Sequence, residues 1–339
     1  MPHQDQRLLD LSAWLEQQLP EVFARCGWGE VPVAQLTAAS SDASFRRYFR
    51  WQGAERSLIV MDAPPPQEDC RPFVKVAQML GDAGVHVPQI LASDLERGFL
   101  LLSDLGRQTY LDVIDQSNAE QLFEDAMEAL LKFQLHPVTQ PMPAYDEALL
   151  RRELQLFPDW YVQRHLGHSF SEKQQAAWER ICRQLIDSAL AQPRVLVHRD
   201  YMPRNLMISE PNPGVLDFQD AVLGPVSYDI TSLFKDAFLS WPEAQVQAWL
   251  EGYWHKARAA GVTLPESLDE FLRASDLMGL QRHLKVIGIF ARICHRDGKP
   301  RYLADVPRFF AYIEAVLARR PELAELQQLL VELPQAPQA

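Results

Sequence analysis

Apolar residues recur every three or four positions from Arg7 to Cys26, where Leu8, Leu11, Leu15, Leu19 and Phe23 form one stripe ahead of Gly27. That spacing predicts an amphipathic helix that stops near the glycine. The pattern then changes character. Ala43–Trp51 alternates aromatic and basic residues and Ser57–Met61 is short and apolar, so both read as strands, the second closed by the rigid loop Ala63-Pro64-Pro65-Pro66. A short helix over Phe73–Gly81 and strands at Ile90–Ala92 and Gly98–Leu102 lead into Ser103-Asp104-Leu105-Gly106. From Tyr110 onward helical periodicity dominates, at 119–136, 147–165, 172–191, 226–238, 243–260, 267–293 and 305–331. Short strands interrupt it only at 195–197, 206–208 and 214–217. The expectation is an α+β fold of two lobes: a small β-rich N-lobe at 1–105, a larger mainly helical C-lobe at 106–332, and a frayed tail at 333–339.

A length of 339 residues suits two lobes with a substantial core, and 47% hydrophobic with 23% charged residues is ordinary for a soluble globular protein. The formal charge of −12 argues against nucleic acid or an anionic membrane as partner, because either would require a basic face. Cys26, Cys70, Cys182 and Cys294 have no CxxC spacing, which fits free thiols in a reducing cytoplasm and speaks against a zinc site. The first residues carry no basic, apolar leader, and no run approaches the ~18 apolar residues of a membrane span. A cytoplasmic protein with no obligate protein partner is expected.

The chemistry concentrates in two stretches, Val195–Asn205 (VLVHRDYMPRN) and Gly214–Asp220 (GVLDFQD). Asp200 and Asn205 lie five positions apart after an apolar strand, and Asp217 ends a second apolar run. This layout fits phosphoryl transfer: one carboxylate orients or deprotonates a hydroxyl, while an amide and a second carboxylate hold Mg²⁺ against the phosphates of ATP. The chain supplies its own control. His295-Arg296-Asp297 repeats the HRD tripeptide, but Tyr302 stands where Asn205 does and no LDF follows. Only the first copy is expected to be catalytic. Asp229, at the head of an apolar helix, reads as a capping group.

HRDYMPRN with VLDFQDAVLGPVSYDI resembles the aminoglycoside phosphotransferase/choline kinase group, over about Thr37 to Phe238. The resemblance implies a bilobal, protein-kinase-like fold that uses ATP and Mg²⁺. More narrowly, SDASFRRYF at 41–49, LFPDWYVQRHLG at 156–167 and GIFARICHRDGKPRYLADVPRF at 288–309 resemble the kinases of N-acetylmuramate and N-acetylglucosamine. Those kinases act at the anomeric C1 hydroxyl in cell-wall sugar recycling. The resemblance makes Asp200 the catalytic base, Asn205 and Asp217 the metal ligands, and an amino sugar the small-molecule substrate.

The nucleotide lobe departs from the protein-kinase pattern. Ser40-Ser41-Asp42-Ala43-Ser44 has no glycine, so Ser41, Asp42 and Ser44 would have to contact the phosphates through amides and hydroxyls. Met61 stands where a phosphate-pairing lysine is common, leaving Arg46 or Arg47 to supply that charge. Met202 likewise replaces a lysine of the catalytic loop, with Arg204 as a substitute. Leu101–Leu105, including Ser103 and Leu105, would present backbone groups to adenine. For the sugar, Trp160 and Tyr161 offer rings for stacking, Arg292 in the basic cluster Arg292, Arg296, Lys299 and Arg301 offers a cation for a lactyl carboxylate, and Asp297 offers a hydroxyl partner. Two other readings stay open: the same fold acting on an aminoglycoside, choline or homoserine hydroxyl, and a degenerate, non-catalytic binding module.

Overall fold

The computed structural model describes residues 5–40 and 45–334; Ser41, Asp42 and Ser44 lie outside the described residues, as does most of the tail. Helix α1 (Gln6–Cys26) begins where the Asp5 side chain accepts from the amide of Leu8 and ends at Gly27, whose φ of 66° needs no Cβ. It covers a five-stranded antiparallel sheet formed by β1 (Gln35–Ser40), β2 (Arg47–Gln52), β3 (Ser57–Asp62), β4 (Ile90–Asp94) and β5 (Phe99–Ser103), in the order β1-β2-β3-β5-β4. The stripe of Leu11, Leu15, Leu19 and Phe23, joined by Trp14, is buried with Trp51, Leu58, Val60, Phe99 and Leu101 of the sheet. Each such side chain contributes roughly 1.5–3 kcal/mol on burial. The end of β3 carries a fully buried Asp62, which would be costly alone. Arg7 Nε of α1 meets it at 2.7 Å and Arg47 Nη2 of β2 at 2.6 Å, so the ion pairs staple helix to sheet.

Helix α2 (Arg71–Asp82) and the short α3 (Tyr110–Val113) follow, and α4 (Ala119–Leu135) opens the helical part of the chain. The helices α5 (Glu147–Leu154), α6 (Glu172–Leu190), α7 (Tyr228–Phe234), α8 (Glu243–Ala260) and α9 (Leu268–Asp297) come next, then α10 (Val306–Arg319) and α11 (Ala324–Val331). Among them lie the short strands β6 (Arg194–Val197), β7 (Leu206–Met207), β8 (Gly214–Val215) and β9 (Val222–Pro225).

Three differences from the sequence pattern have physical causes. The expected helix at 147–165 is α5 followed by a π-helix at Phe157–His165. Pro158 there has no N–H to continue the ordinary ladder. The expected helix at 305–331 breaks at Arg320, which precedes Pro321 and adopts φ −123°, ψ 78° instead of a helical conformation. Strand β9 pairs with β6 despite holding Gly224 and Pro225, residues that hide a strand in sequence.

The chain divides into two compact units, one of residues 1–125 with 204–220, the other of residues 126–203 with 221–339. The division falls inside α4 rather than at 105. It also assigns the β7–β8 hairpin to the first unit, because the amide of Val215 donates to the His86 carbonyl at 2.8 Å and that of Ile208 to the Gln108 carbonyl at 2.9 Å.

Candidate active site

In the second unit, strand β6 delivers its chain directly into His198, Arg199 and Asp200. Arg199 has a φ of 77°, a left-handed conformation that a side chain other than glycine adopts only when its surroundings enforce it. The enforcing group is Asp229. Its fully buried carboxylate accepts the amide of His198 at 2.7 Å and that of Arg199 at 3.0 Å. Asp229 is therefore not the helix cap its sequence position suggests: the cap position of α7 is Ser227, and the Asp229 carboxylate is spent on the loop that follows β6. Burial pushes its carboxyl up to about 7, against the pull of those two amides. The amide of Asp200 in turn donates to His198 Nδ1 at 3.3 Å, and the Asp200 side chain is half-buried.

The Arg199 side chain is held as firmly as its backbone. Its Nη2 lies 2.6 Å from Glu153 Oε1, and Lys285 Nζ of α9 reaches the same oxygen at 2.9 Å. Tyr145 donates to the other oxygen, Oε2, which also accepts from Gln281 Nε2 at 3.1 Å. Burial alone would raise the Glu153 carboxyl; Lys285 and Arg199 outweigh it and hold the group at about 2. No motif in the sequence flags Glu153, which sits within an ordinary helical stretch.

Pro203–Asn205 form one 3₁₀ turn, and from Arg204 the chain belongs to the first unit and enters β7. Leu206 pairs with Val215 and Met207 with Gly214, and the Asn205 carbonyl accepts the amide of Leu216 at 2.9 Å. This register sets Asn205 and Asp217 at the same open end of the hairpin. Asp217 is exposed with φ 62°, and Gln219 Nε2 donates to its Oδ1 at 2.7 Å. The Gln219 amide oxygen is buried with no hydrogen-bond partner among the described residues. Phe218, between them, packs on Phe73 of α2 at 4.8 Å between ring centres, which anchors the segment. Asn205 and Asp217 make a hard-oxygen pair, and no cage of three or more His, Cys, Asp or Glu forms among the described residues. Such a set suits Mg²⁺, which takes one or two protein ligands and completes its shell with phosphate oxygens and water.

Arg46 and Arg47 differ in what their side chains hold. Arg47 belongs to the Asp62 staple, whereas Arg46 pairs with Glu68 at 3.2 Å and lies within the fields of Asp217 and Asp220. Burial disfavours its charge, and Tyr48 with those three carboxylates outweighs that and raises it. At the end of β5, the Ser103 hydroxyl accepts the amide of Gln89 at 2.8 Å, and its own amide donates to the Gln89 carbonyl at 2.9 Å. Arg50 Nε holds the adjoining Asp104 at 2.6 Å, and Leu105 is buried.

Residues 35–271 match the family model described as "Phosphotransferase enzyme family". The chain belongs to that family. The N-acetylmuramate/N-acetylglucosamine kinase of Pseudomonas aeruginosa is 70% identical over 335 residues, covering 99% of each chain. The kinase of the same name from Neisseria meningitidis is 45% identical, covering 97% of this chain and 96% of that one. Choline kinase LicA from Streptococcus pneumoniae superposes with a TM-score of 0.61 at 13% identity, covering 90% of this chain and 99% of that one. The ADP-bound aminoglycoside phosphotransferase APH(2'')-Ib gives 0.57 at 14%, covering 87% and 98%. At those identities the structures speak for the fold alone. That fold is the protein-kinase-like one, with a small antiparallel sheet and a mainly helical remainder. The phosphotransferase acts on a small molecule, and no described helix is long and apolar enough to cross a membrane.

The remaining expected site residues of this phosphotransferase fare differently. Trp160 is half-buried in the π-helix. Tyr161 beside it is buried, stacked on Phe157 at 5.5 Å and against Phe310 at 5.5 Å, with burial pushing its hydroxyl up to about 12. It also lines a cavity of about 340 Å³ with His165, Leu303, Val306, Phe310 and Glu314. Arg204 is half-buried in the 3₁₀ turn. Asp297 is engaged by Arg296 through bonds of 2.6 and 2.9 Å. Arg292 is half-buried, and its Nε is buried with no hydrogen-bond partner among the described residues.

Proposed function

We propose that the enzyme transfers the γ-phosphoryl group of ATP to the anomeric C1 hydroxyl of N-acetylmuramate and N-acetylglucosamine, in the cytoplasm, as a step of peptidoglycan recycling. The observation that carries this reading is 70% identity over nearly the whole of two chains, with the relative bearing that kinase name. Two proteins this similar keep the residues that line a small-molecule site far more often than they exchange them.

In this reading Asp200 accepts the C1 hydroxyl proton as the sugar oxygen bonds to the γ-phosphorus. The bond from that phosphorus to the β,γ-bridging oxygen breaks, and ADP leaves with the electron pair. The transition state is loose, so orienting the hydroxyl contributes more than basicity, and the anchored loop of His198, Arg199 and Asp200 suits that task. Asn205 and Asp217 hold Mg²⁺, which when bound neutralises charge on the phosphates. Gln219 keeps the Asp217 carboxylate in one orientation. Arg46, already placed in a field of carboxylates, supplies the positive charge that Met61 does not. Ser41, Asp42 and Ser44 contact the phosphates through amides and hydroxyls, and Ser103 and Leu105 meet adenine through backbone groups. Trp160 stacks on the sugar ring.

The test is ATP turnover with each amino sugar and Mg²⁺, followed by phosphorus NMR of the product. A phosphate on C1 is expected, and phosphate on a ring hydroxyl would remove the assignment. Asp200→Asn should lower kcat by about 10²–10⁴-fold while ATP still binds. Near-wild-type turnover by that variant would show that Asp200 is not the base.

A further inference from the structure

Resting on that reading, we propose that Arg292 is the residue that recognises the lactyl carboxylate of N-acetylmuramate, the one charged group that distinguishes it from N-acetylglucosamine.

Arg292 is exceptional among the described arginines of its unit. Every other buried or half-buried arginine there has an oxygen partner: Arg199 has Glu153, Arg151 has Glu179, Arg308 has Asp305, Arg319 and Arg320 share Asp276, and Arg282 donates to the Lys235 carbonyl. Arg292 makes no hydrogen bond or ion pair among the described residues, and its Nε is fully shielded from solvent. Burial disfavours its charge first, and Arg296 adds to that; Asp297 alone opposes them, and it is committed to Arg296. A half-buried guanidinium left in this condition weakens the fold. A carboxylate ligand reverses the sign, because two parallel N–H···O bonds with opposite charges are among the strongest polar contacts available.

Its position suits an amino sugar held by Asp200. Lys285 and Arg292 are seven residues apart on α9, hence on one face and roughly 10 Å apart along the axis. Lys285 lies within the electrostatic reach of Asp200 and bonds to Glu153, which also holds Arg199. Arg292 is thus two turns beyond the point where α9 meets the catalytic loop. The π-helix runs along the same stretch. Gly288 approaches the backbone of Leu156 so closely that a Cβ would lie 2.4 Å from its carbonyl carbon, and His165 Nδ1 meets His295 Nε2 at 3.2 Å. These two contacts lie on either side of Arg292 in α9, so it falls along the stretch of α9 that the π-helix accompanies. A half-buried cation with no hydrogen bond or ion pair among the described residues, two turns along α9 from Lys285, is what an acidic sugar requires.

The test is the full steady-state kinetics of the intact enzyme and of Arg292→Gln and Arg292→Lys with both sugars. For Arg292→Gln, the ratio of kcat/KM for N-acetylmuramate to that for N-acetylglucosamine is expected to fall by about ten- to a hundredfold, chiefly through KM for N-acetylmuramate. Arg292→Lys should retain part of the preference, since it keeps the charge but not the fork. The melting temperature of Arg292→Gln should not drop, because no protein partner is lost. An unchanged ratio, or equal loss on both sugars, would overturn the proposal. Wild-type enzyme inactive on both sugars would instead overturn the function on which it rests.

Discussion

The carboxylate of Asp229 accepts the backbone amide of His198 at 2.7 Å, thirty-one positions earlier in the chain. Through this contact and its partner to Arg199, helix α7 sets the conformation of the loop that carries Asp200, the base in the proposed reaction. Asp229→Asn replaces one acceptor oxygen by a donor facing an N–H, which should cost about 1–3 kcal/mol of stability and lower kcat more than it raises KM. Steady-state kinetics beside denaturant unfolding would separate the two effects. The same residue leaves a pH signature. Burial holds its proton up to about 7 in the folded state, against the ordinary 3.8. Its contribution to stability is therefore fully present below about 3.8 and is lost as pH rises through about 7. Between about 3.8 and 7 wild type should lose stability relative to Asp229→Asn as pH rises, and above and below that window the two unfolding free energies should run parallel.

Glu153 predicts the opposite dependence. Its folded-state value of about 2 lies below the ordinary 4.5, so its contribution is present above 4.5 and disappears as pH falls towards 2. Glu153→Gln leaves Arg199 and Lys285 buried without their anion, an expected loss of about 3–5 kcal/mol. Thermal melts from neutral to acid pH would show wild type losing its advantage over the variant in that window. A variant as stable as wild type at neutral pH would contradict the assignment.

Two glycines make a matched pair. At Gly288 a Cβ would lie 2.4 Å from backbone atoms of Leu156, so Gly288→Ala must push α9 away from the chain entering the π-helix. A loss of roughly 1–3 kcal/mol is expected from such overpacking. Gly252, within α8, has nothing within 4 Å of its Cβ position. Gly252→Ala should instead stabilise by about 0.4–1 kcal/mol, through the unfolded chain. Differential scanning fluorimetry of both variants checks the contrast in sign.

Gln219 should affect metal use rather than sugar use. Its amide donates to Asp217 at 2.7 Å, and without it the carboxylate gains freedom that metal binding must then remove. Gln219→Ala is expected to raise the Mg²⁺ concentration for half-maximal turnover by about 10–100-fold, with KM for the sugar little altered. A magnesium titration at saturating ATP and sugar measures this.

Much of the fold was readable because its elements carry strong periodicity. The stripe from Leu8 to Phe23, the apolar run at 57–61 and the long pattern at 267–293 correspond to α1, β3 and α9. Gln35–Ser40 was not legible, since QLTAAS has neither alternation nor bulk, and it becomes a strand by pairing with Arg47–Gln52. The π-helix was not legible either, because apolar spacing does not distinguish a widened turn from an ordinary one.

The sequence by itself pointed to phosphoryl transfer, the class the family match shows, because the stretches VLVHRDYMPRN and GVLDFQD are close along the chain and their spacing is a local property. Tertiary structure decided what holds those residues and which cations are spoken for. Asp229 and Glu153 reach the catalytic loop from 30 and 46 positions away along the chain, and no local pattern encodes such a contact. Arg46, Arg47 and Arg292 look alike as letters; only burial and partners separate them. Arg47 is committed to a buried carboxylate, Arg46 stands among the acidic groups beside Asp217, and Arg292 is half-buried with no partner at its shielded nitrogen. A charge in water has little preference among neighbours, whereas one removed from water must find an opposite charge, and the folded chain alone fixes which is within reach.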